Sequence, residues 1–199
     1  MATYHLKTPI SEEEIRKLKV NDIIYITGTV VTVRDQAHKR ALKYAKEGKP
    51  LPINLEGLAV FHCGPLVKNE GGKWVVLAAG PTTSTRMELF EAEFIETFKF
   101  RVVIGKGGMG ERTTSAMAKY GAVYSAFTGG AAILAAKAIK AVKGVEWLDL
   151  GVPEAMWILE VEDFGPLTVA IDSHGRNLFM EIAQKAEESR SRIYEKLGL

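Results

Sequence analysis

The chain has 199 residues, 47% of them hydrophobic and 25% charged, with a formal net charge of +2. This is the balance of one ordinary globular α/β domain, long enough to bury a sizeable core, and 1–199 is read as a single domain. So small a net charge, with Glu12-Glu13-Glu14 the longest run of like charge, gives no electrostatic ground for a nucleic-acid or membrane partner. The single cysteine, Cys63, excludes an internal disulfide and supplies too few ligands for a zinc ion or an iron–sulfur cluster. Any cluster this protein uses must be held by another chain, and no metal is assigned to this one.

The opening, MATYHLKTPISEEE, has no basic segment followed by an apolar one, and the longest weakly polar run, near 121–136, is broken by Gly and Thr. A cytoplasmic protein is therefore expected. Ser11 to Glu14 fit a capping box for a short helix ending near Val20. The β-branched run 22–33 predicts a buried strand that ends at Arg34. Residues 35–47 read as a helix stopped by Gly48, and Pro50 and Pro52 mark a loop before a strand at 57–62. Asn69-Glu70-Gly71-Gly72 predicts a turn between two β segments, the second running over 74–80.

After the loop Gly80-Pro81-Thr82-Thr83-Ser84-Thr85-Arg86-Met87 a helix is expected over about 87–97. Strand 100–105 then leads through a glycine loop into helix 111–120, and strand 122–127 leads through Thr128-Gly129-Gly130 into an alanine-rich helix, 131–143. These consecutive strand–glycine–helix units are the signature of parallel pairing. Apolar runs at 155–161 and 167–172 precede a C-terminal helix over about 177–197. The whole reads as an α/β domain with a β-rich first half.

The loop Gly105-Lys106-Gly107-Gly108-Met109-Gly110 matches the dinucleotide-binding spacing G-x-G-x-x-G. The acidic ribose partner expected about 20 positions on is missing, because no Asp or Glu lies between Glu111 and Glu146. A P-loop is disfavoured because no Gly-Lys-Ser or Gly-Lys-Thr closes the loop. Simple tight turns remain open, as does an anion at the helix N-terminus.

Arg34, Arg86 and Lys106 each stand at or just after a strand-to-helix junction. Such loops gather at one edge of an α/β sheet, so two guanidinium forks and an ammonium there would suit a small molecule with two carboxylates. Each alone reads sooner as a solvated surface charge, and it is their shared placement that points to a ligand. Thr82 and Thr83 are candidate caps for the following helix. His62 and Cys63 invite a Cys–His nucleophile, but adjacent strand residues point to opposite faces. His5, His38, His62 and His174 show no metal spacing, and His38 at a helix start reads as a surface or capping group. Asp172-Ser173-His174 is a turn, since consecutive residues cannot adopt triad geometry.

Taken in order, Arg34-Asp35-Gln36-Ala37-His38-Lys39-Arg40, His62-Cys63-Gly64-Pro65, Gly80 to Met87, Gly105-Lys106-Gly107-Gly108-Met109 and Thr128-Gly129-Gly130-Ala131-Ala132 resemble the β subunit of class I, iron–sulfur-dependent fumarate hydratase. The same module forms the C-terminal region of single-chain class I fumarases and the β subunit of L-tartrate dehydratase. The resemblance runs from about residue 5 to 185. It implies a swivelling β/β/α domain and a separate α subunit that holds a [4Fe–4S] cluster, in an α₂β₂ assembly. The reaction implied is reversible hydration of fumarate to L-malate, part of the tricarboxylic acid cycle, with tartrate or another 2-hydroxydicarboxylate as the alternative substrate.

Carried over residue by residue, Arg34, Arg86 and Lys106 resemble the groups that hold the dicarboxylate. Thr82 is similar in position to the catalytic base, activated by an acidic group of the α subunit. Asp35, His38 and Thr83 lie in matched motifs as supporting residues. A nucleotide- or phosphate-binding module and a purely structural assembly subunit stand as competing readings.

Overall fold

The structure is a computed structural model, and it describes residues 1–198. From the N-terminus run β1 (Thr3–Lys7), α1 (Glu12–Ile15), β2 (Ile23–Thr32), α2 (Asp35–Lys46) and β3 (Ala59–Phe61). A hairpin of β4 (Leu66–Glu70) and β5 (Lys73–Ala78) follows, then a 3-10 turn (Ser84–Met87) leading into α3 (Glu88–Phe98). Next come β6 (Val102–Gly105), α4 (Glu111–Tyr120), β7 (Val123–Ala126), α5 (Ala132–Ala138), β8 (Ile139–Glu146), β9 (Met156–Ile171) and α6 (Leu178–Leu197).

Strands β2, β3, β6 and β7 are successive parallel neighbours. β9 runs antiparallel to both β7 and β2, so the pairings close into a ring of five strands, with β1 beside β2 and β8 beside β9. The ring explains the unbroken apolar runs, because a strand covered on both faces needs no polar alternation. Val30, Phe61, Ile104 and Trp157 point to one cluster, whereas Val31, Val60, Val103 and Tyr124 point to a second, beneath α2, α3 and α4. No helix among the described residues is long and apolar enough to cross a membrane.

Several expectations need correction. The Ser11 capping box is present, but its helix ends at Ile15 rather than near Val20. The N-terminal strand β1 was not foreseen. The alanine-rich helix stops at Ala138, and 139–146 form a strand. Ile139, Val142 and Val145 recur every third residue and all pack on the core, a spacing that imitates a helix. Register shifts between Ile139 and Ala141 and between Val142 and Gly144 let this spacing face one side of a strand instead. The runs 155–161 and 167–172 belong to one strand, because register irregularities opposite Ile24, Ile26 and Gly28 absorb the intervening residues. There Phe164 is buried and the Asp163 N–H donates to Thr27 Oγ1 at 3.1 Å.

Candidate active site

Parallel pairing puts the C-terminal ends of β2, β3 and β6 at one edge of the sheet, and the segments leaving them meet there. Arg34 leaves β2 as the N-cap of α2. His62-Cys63-Gly64-Pro65 leaves β3, and Lys106 leaves β6. The loop Gly80–Arg86 arrives from β5 and is stitched between them by its backbone. The Thr82 N–H donates to the His62 carbonyl at 2.6 Å, the Ser84 N–H to the Lys106 carbonyl at 2.8 Å, and the Lys106 N–H to the Thr82 carbonyl at 3.4 Å.

The loops that carry the three cations are therefore tied to one another, although each arrives by a different route. Arg86 Nη2 donates to Asp35 Oδ2 at 2.7 Å, tying the threonine loop to the first turn of α2. Arg34 is mostly buried, with Nε 3.3 Å from Glu154 Oε1 and Nη1 donating to the Pro153 carbonyl at 3.4 Å. Gly64 leaves room for it, since a Cβ there would stand 2.5 Å from Arg34 Nη1. Lys106 is exposed, and a Cβ on Gly129 would lie 3.6 Å from its Nζ. The glycine loop after β7 thus lies against the Lys106 side chain.

Thr82 is half-buried and Thr83 exposed. Neither is the side-chain cap expected of it: Thr83 occupies the N-cap position of the 3-10 turn without a side-chain capping bond. The reason is that this loop is fixed through its amides instead. Thr85 takes the bridging role, its hydroxyl donating to the carbonyls of Gly107 and Gly108 at 3.1 and 3.2 Å. Among the described residues none hydrogen-bonds the Thr82 hydroxyl, which leaves it available to a group from outside.

The glycine loop is built for protein packing. A Cβ at Gly105 would overlap Ser84 Oγ. At the start of α4, Glu88 accepts from the Gly110 N–H at 2.6 Å, the Thr113 N–H at 3.3 Å and the Thr113 hydroxyl at 2.7 Å. A protein carboxylate thus sits where a dinucleotide or P-loop site places phosphate. Cys63 is fully buried, and burial pushes its thiol up to about 12 despite the nearby Arg34, so it is neither a nucleophile nor a ready metal ligand.

His38 is not the surface or capping group its position suggested. It is wholly buried, its Nδ1 2.8 Å from the Arg34 carbonyl and its Nε2 3.2 Å from Glu91 Oε2. His62, also buried, brings its Nε2 within 3.1 Å of the same oxygen. The sequence spacing of these histidines hid their convergence. Glu91 was missed altogether, yet it carried a signal: with Met87, Phe94 and Ile95 it shares the buried stripe of its helix, where a carboxylate needs a partner. Asp172-Ser173-His174 is the turn expected, with Asp172 Oδ1 accepting from the N–H groups of His174 and Arg176.

Known proteins resemble this chain over nearly its whole length. The family described as Fumarase C-terminus matches residues 2–182. The chain is 44% identical over 192 residues to the L(+)-tartrate dehydratase subunit beta of Escherichia coli (strain K12), covering 96% of this chain and 94% of that protein. It is 42% identical over 190 residues to the putative L(+)-tartrate dehydratase subunit beta of Methanocaldococcus jannaschii, covering 95% and 94%. It is also 44% identical over 191 residues to a putative fumarate hydratase class I of Geobacillus stearothermophilus, of which it covers 36%. The chain belongs to the fumarase C-terminus family, that of the hydro-lyases to which tartrate dehydratase β subunits and class I fumarate hydratases belong.

Proposed function

We propose that this chain is the β subunit of a class I hydro-lyase that removes water from a 2-hydroxydicarboxylate or adds it to the corresponding unsaturated dicarboxylate, with L-malate and fumarate as the lead pair. What carries this is the gathering of Arg34, Arg86, Lys106 and Thr82 at one sheet edge. Tartrate has equal support, since relatives named for tartrate and for fumarate match at the same 44% identity. The two substrates differ in hydroxylation, which a few pocket groups decide.

Arg34 and Arg86 present two forks to the two carboxylates, and Lys106 adds a point charge from the exposed side. Glu154 and Asp35 aim the guanidinium groups before substrate arrives. Thr82 stands on the same loop as Arg86, so the proton acceptor and the anchor keep a fixed relation, as oriented catalysis requires. A threonine hydroxyl needs a stronger base to accept its proton. No described residue of this chain bonds it, so an acidic group of the partner is assigned that task.

The residues of this chain do not fit a [4Fe–4S] cluster, since the one cysteine is buried and held as a thiol. In this reading the cluster belongs to an α subunit, in an α₂β₂ assembly. A closed strand ring carrying its site loops at one edge suits a swivelling β/β/α domain that presents those loops to a partner. Cytoplasmic placement accompanies this reading.

The test is anaerobic co-expression with a cluster-bearing α subunit from the same source, followed by the loss of fumarate's ultraviolet absorbance, with meso- and L-tartrate run in parallel. Fumarate turnover that needs both chains establishes the lead reading. Preference for tartrate moves the protein to the sister activity. No turnover by a correctly assembled, cluster-loaded complex removes both.

A further inference from the structure

Beneath the site loops lies a group of three ionisable side chains without solvent exposure: His38 on α2, His62 after β3 and Glu91 on α3. The two Nε2 atoms approach one carboxylate oxygen, Glu91 Oε2, at 3.2 and 3.1 Å. Both approaches are short but bent from the hydrogen-bond axis, so each is a weak N–H-to-carboxylate contact and not a well-directed bond. Burial alone would raise the Glu91 carboxyl, but His62 and His38 hold it below the usual carboxylate range.

The outer ring nitrogens fix where the protons sit. His38 Nδ1 faces the Arg34 carbonyl at 2.8 Å, and a carbonyl only accepts, so Nδ1 carries a proton. His62 Nδ1 lies 2.9 Å from Ser84 Oγ, which is 3.1 Å from the Tyr124 hydroxyl, itself 3.4 Å from the Gly108 N–H. That last group can only donate. With the Tyr124 hydroxyl donating to Ser84 Oγ, the arrangement that leaves no buried hydroxyl proton idle runs from Gly108 to Tyr124 to Ser84 to His62, and in it His62 Nδ1 accepts. His62 is then the neutral Nε2–H tautomer. With its Nδ1–H committed to Arg34, His38 can offer an N–H to an ionised Glu91 only as the imidazolium.

We propose that Glu91 is a positioning residue, which fixes His38 as an imidazolium and His62 as the Nε2–H tautomer and thereby sets the Arg34 backbone and the Thr82–Arg86 loop in register. Each imidazole leads to one site loop. His38 gives both its backbone N–H, at 2.9 Å, and its Nδ1–H to the Arg34 carbonyl. The His62 carbonyl receives the Thr82 N–H, while its ring holds Ser84, two residues from both Thr82 and Arg86. The consequence for catalysis rests on the function proposed above; the proton arrangement does not.

The three side chains are also of metal-ligand type, with donor atoms all within 4.8 Å, so a bound ion is a distinguishable outcome. Nitrogen-15 NMR of histidine-labelled full-length chain reads the tautomers directly. In the wild type at neutral pH we expect one buried imidazole with both nitrogens protonated and one with Nε2–H alone. In Glu91→Gln, His38 loses its Nε2 proton and becomes the Nδ1–H tautomer.

In the assembled enzyme the same substitution should lower kcat/KM by roughly 100-fold, with KM raised as well as kcat lowered, because a carboxylate anchor and the base loop both shift. Where Glu91→Gln does not fold, Ser84→Ala removes the donor to His62 and should release its tautomer, with a smaller loss of kcat/KM. Two neutral buried histidines in the wild type would overturn the proposal, as would a tightly bound metal at one equivalent per chain by elemental analysis. A Glu91→Gln enzyme with wild-type kcat/KM would do the same. A complex inactive on every dicarboxylate but with the expected tautomers would overturn the functional reading alone.

Discussion

Arg86 Nη2 donates to Asp35 Oδ2 at 2.7 Å, so the guanidinium assigned to a substrate carboxylate is aimed by a carboxylate on the neighbouring helix. Arg86 is half-exposed, and a pair of that kind contributes about 1 kcal/mol or less to folding. Its worth lies in orientation. Arg86→Ala should therefore lower kcat/KM of the assembled enzyme by about 100-fold or more. Arg86→Lys, which keeps the charge but loses the fork, should lower it by at least about 10-fold. Melting temperatures should stay close to wild type for both. Steady-state kinetics beside thermal melts check this, and full activity in Arg86→Ala would leave the chain an assembly role only.

The Thr82 hydroxyl has no hydrogen-bond partner among the described residues, whereas its backbone is held by His62 and Lys106. Function and folding are thereby separated at one residue. Thr82→Val should remove most of kcat, by about 100-fold or more, while leaving KM and stability near wild type. Thr82→Ser, which retains an oxygen, should recover a measurable part. Equal activity in all three enzymes would withdraw Thr82 from the chemistry.

How much of this was legible in the sequence differs from element to element for physical reasons. The parallel strands and their glycine loops were readable because β-branched runs ending in Gly are local signals. So was the placement of Arg34 and Lys106, which leave the parallel strands β2 and β6, whereas Arg86 arrives from the separate β4–β5 hairpin and its position depends on the backbone bonds of its loop. The switch from helix to strand at Ile139 was not readable, since a pair of bulges gave the strand a helical spacing. Nor was the meeting of His38, His62 and Glu91, which depends on how α2 and α3 pack across the sheet. A carboxylate on an apolar helix stripe announces a partner without naming it. The Gly105 loop shows the opposite limit, for its spacing matches a nucleotide motif while its geometry serves Ser84 and Glu88.

That geometry makes Gly105 a test of packing independent of function. A Cβ at Gly105 would overlap Ser84 Oγ and come within 3.2 Å of the Tyr124 hydroxyl, both fully buried. Gly105→Ala should cost about 1–3 kcal/mol, the range for inserting a methyl group into a filled core, seen as a lowered urea midpoint at unchanged slope. Combining it with Ser84→Gly, which removes the obstructing hydroxymethyl, should restore part of the loss. Additive losses in the double variant would mean that the two positions do not meet.

The buried imidazole of His62 gives the fold a defined response to acid. Desolvation lowers its pKa below the ordinary value of about 6.5, while Glu91 on α3 and, more distantly, Asp35 on α2 pull it up and His38 pushes it down. The unfolded chain thus binds a proton at this residue as pH falls through about 6.5 and the folded chain does not, so this residue's contribution lowers stability as pH falls below that point. The slope approaches about 1.4 kcal/mol per pH unit for the one proton. Glu91 acts in a lower window. Its folded pKa is depressed by His62 and His38 against the cost of burial, so its contribution is present above the unfolded carboxyl pKa, about 4.3, and is lost as pH drops toward the folded value. Urea melts from pH 7.5 to 5.0 should show the first decline in the wild type and a slope smaller by about one proton in His62→Gln. Identical slopes would mean that His62 is already protonated in the native state, and that the buried carboxylate faces two imidazolium rings instead of one.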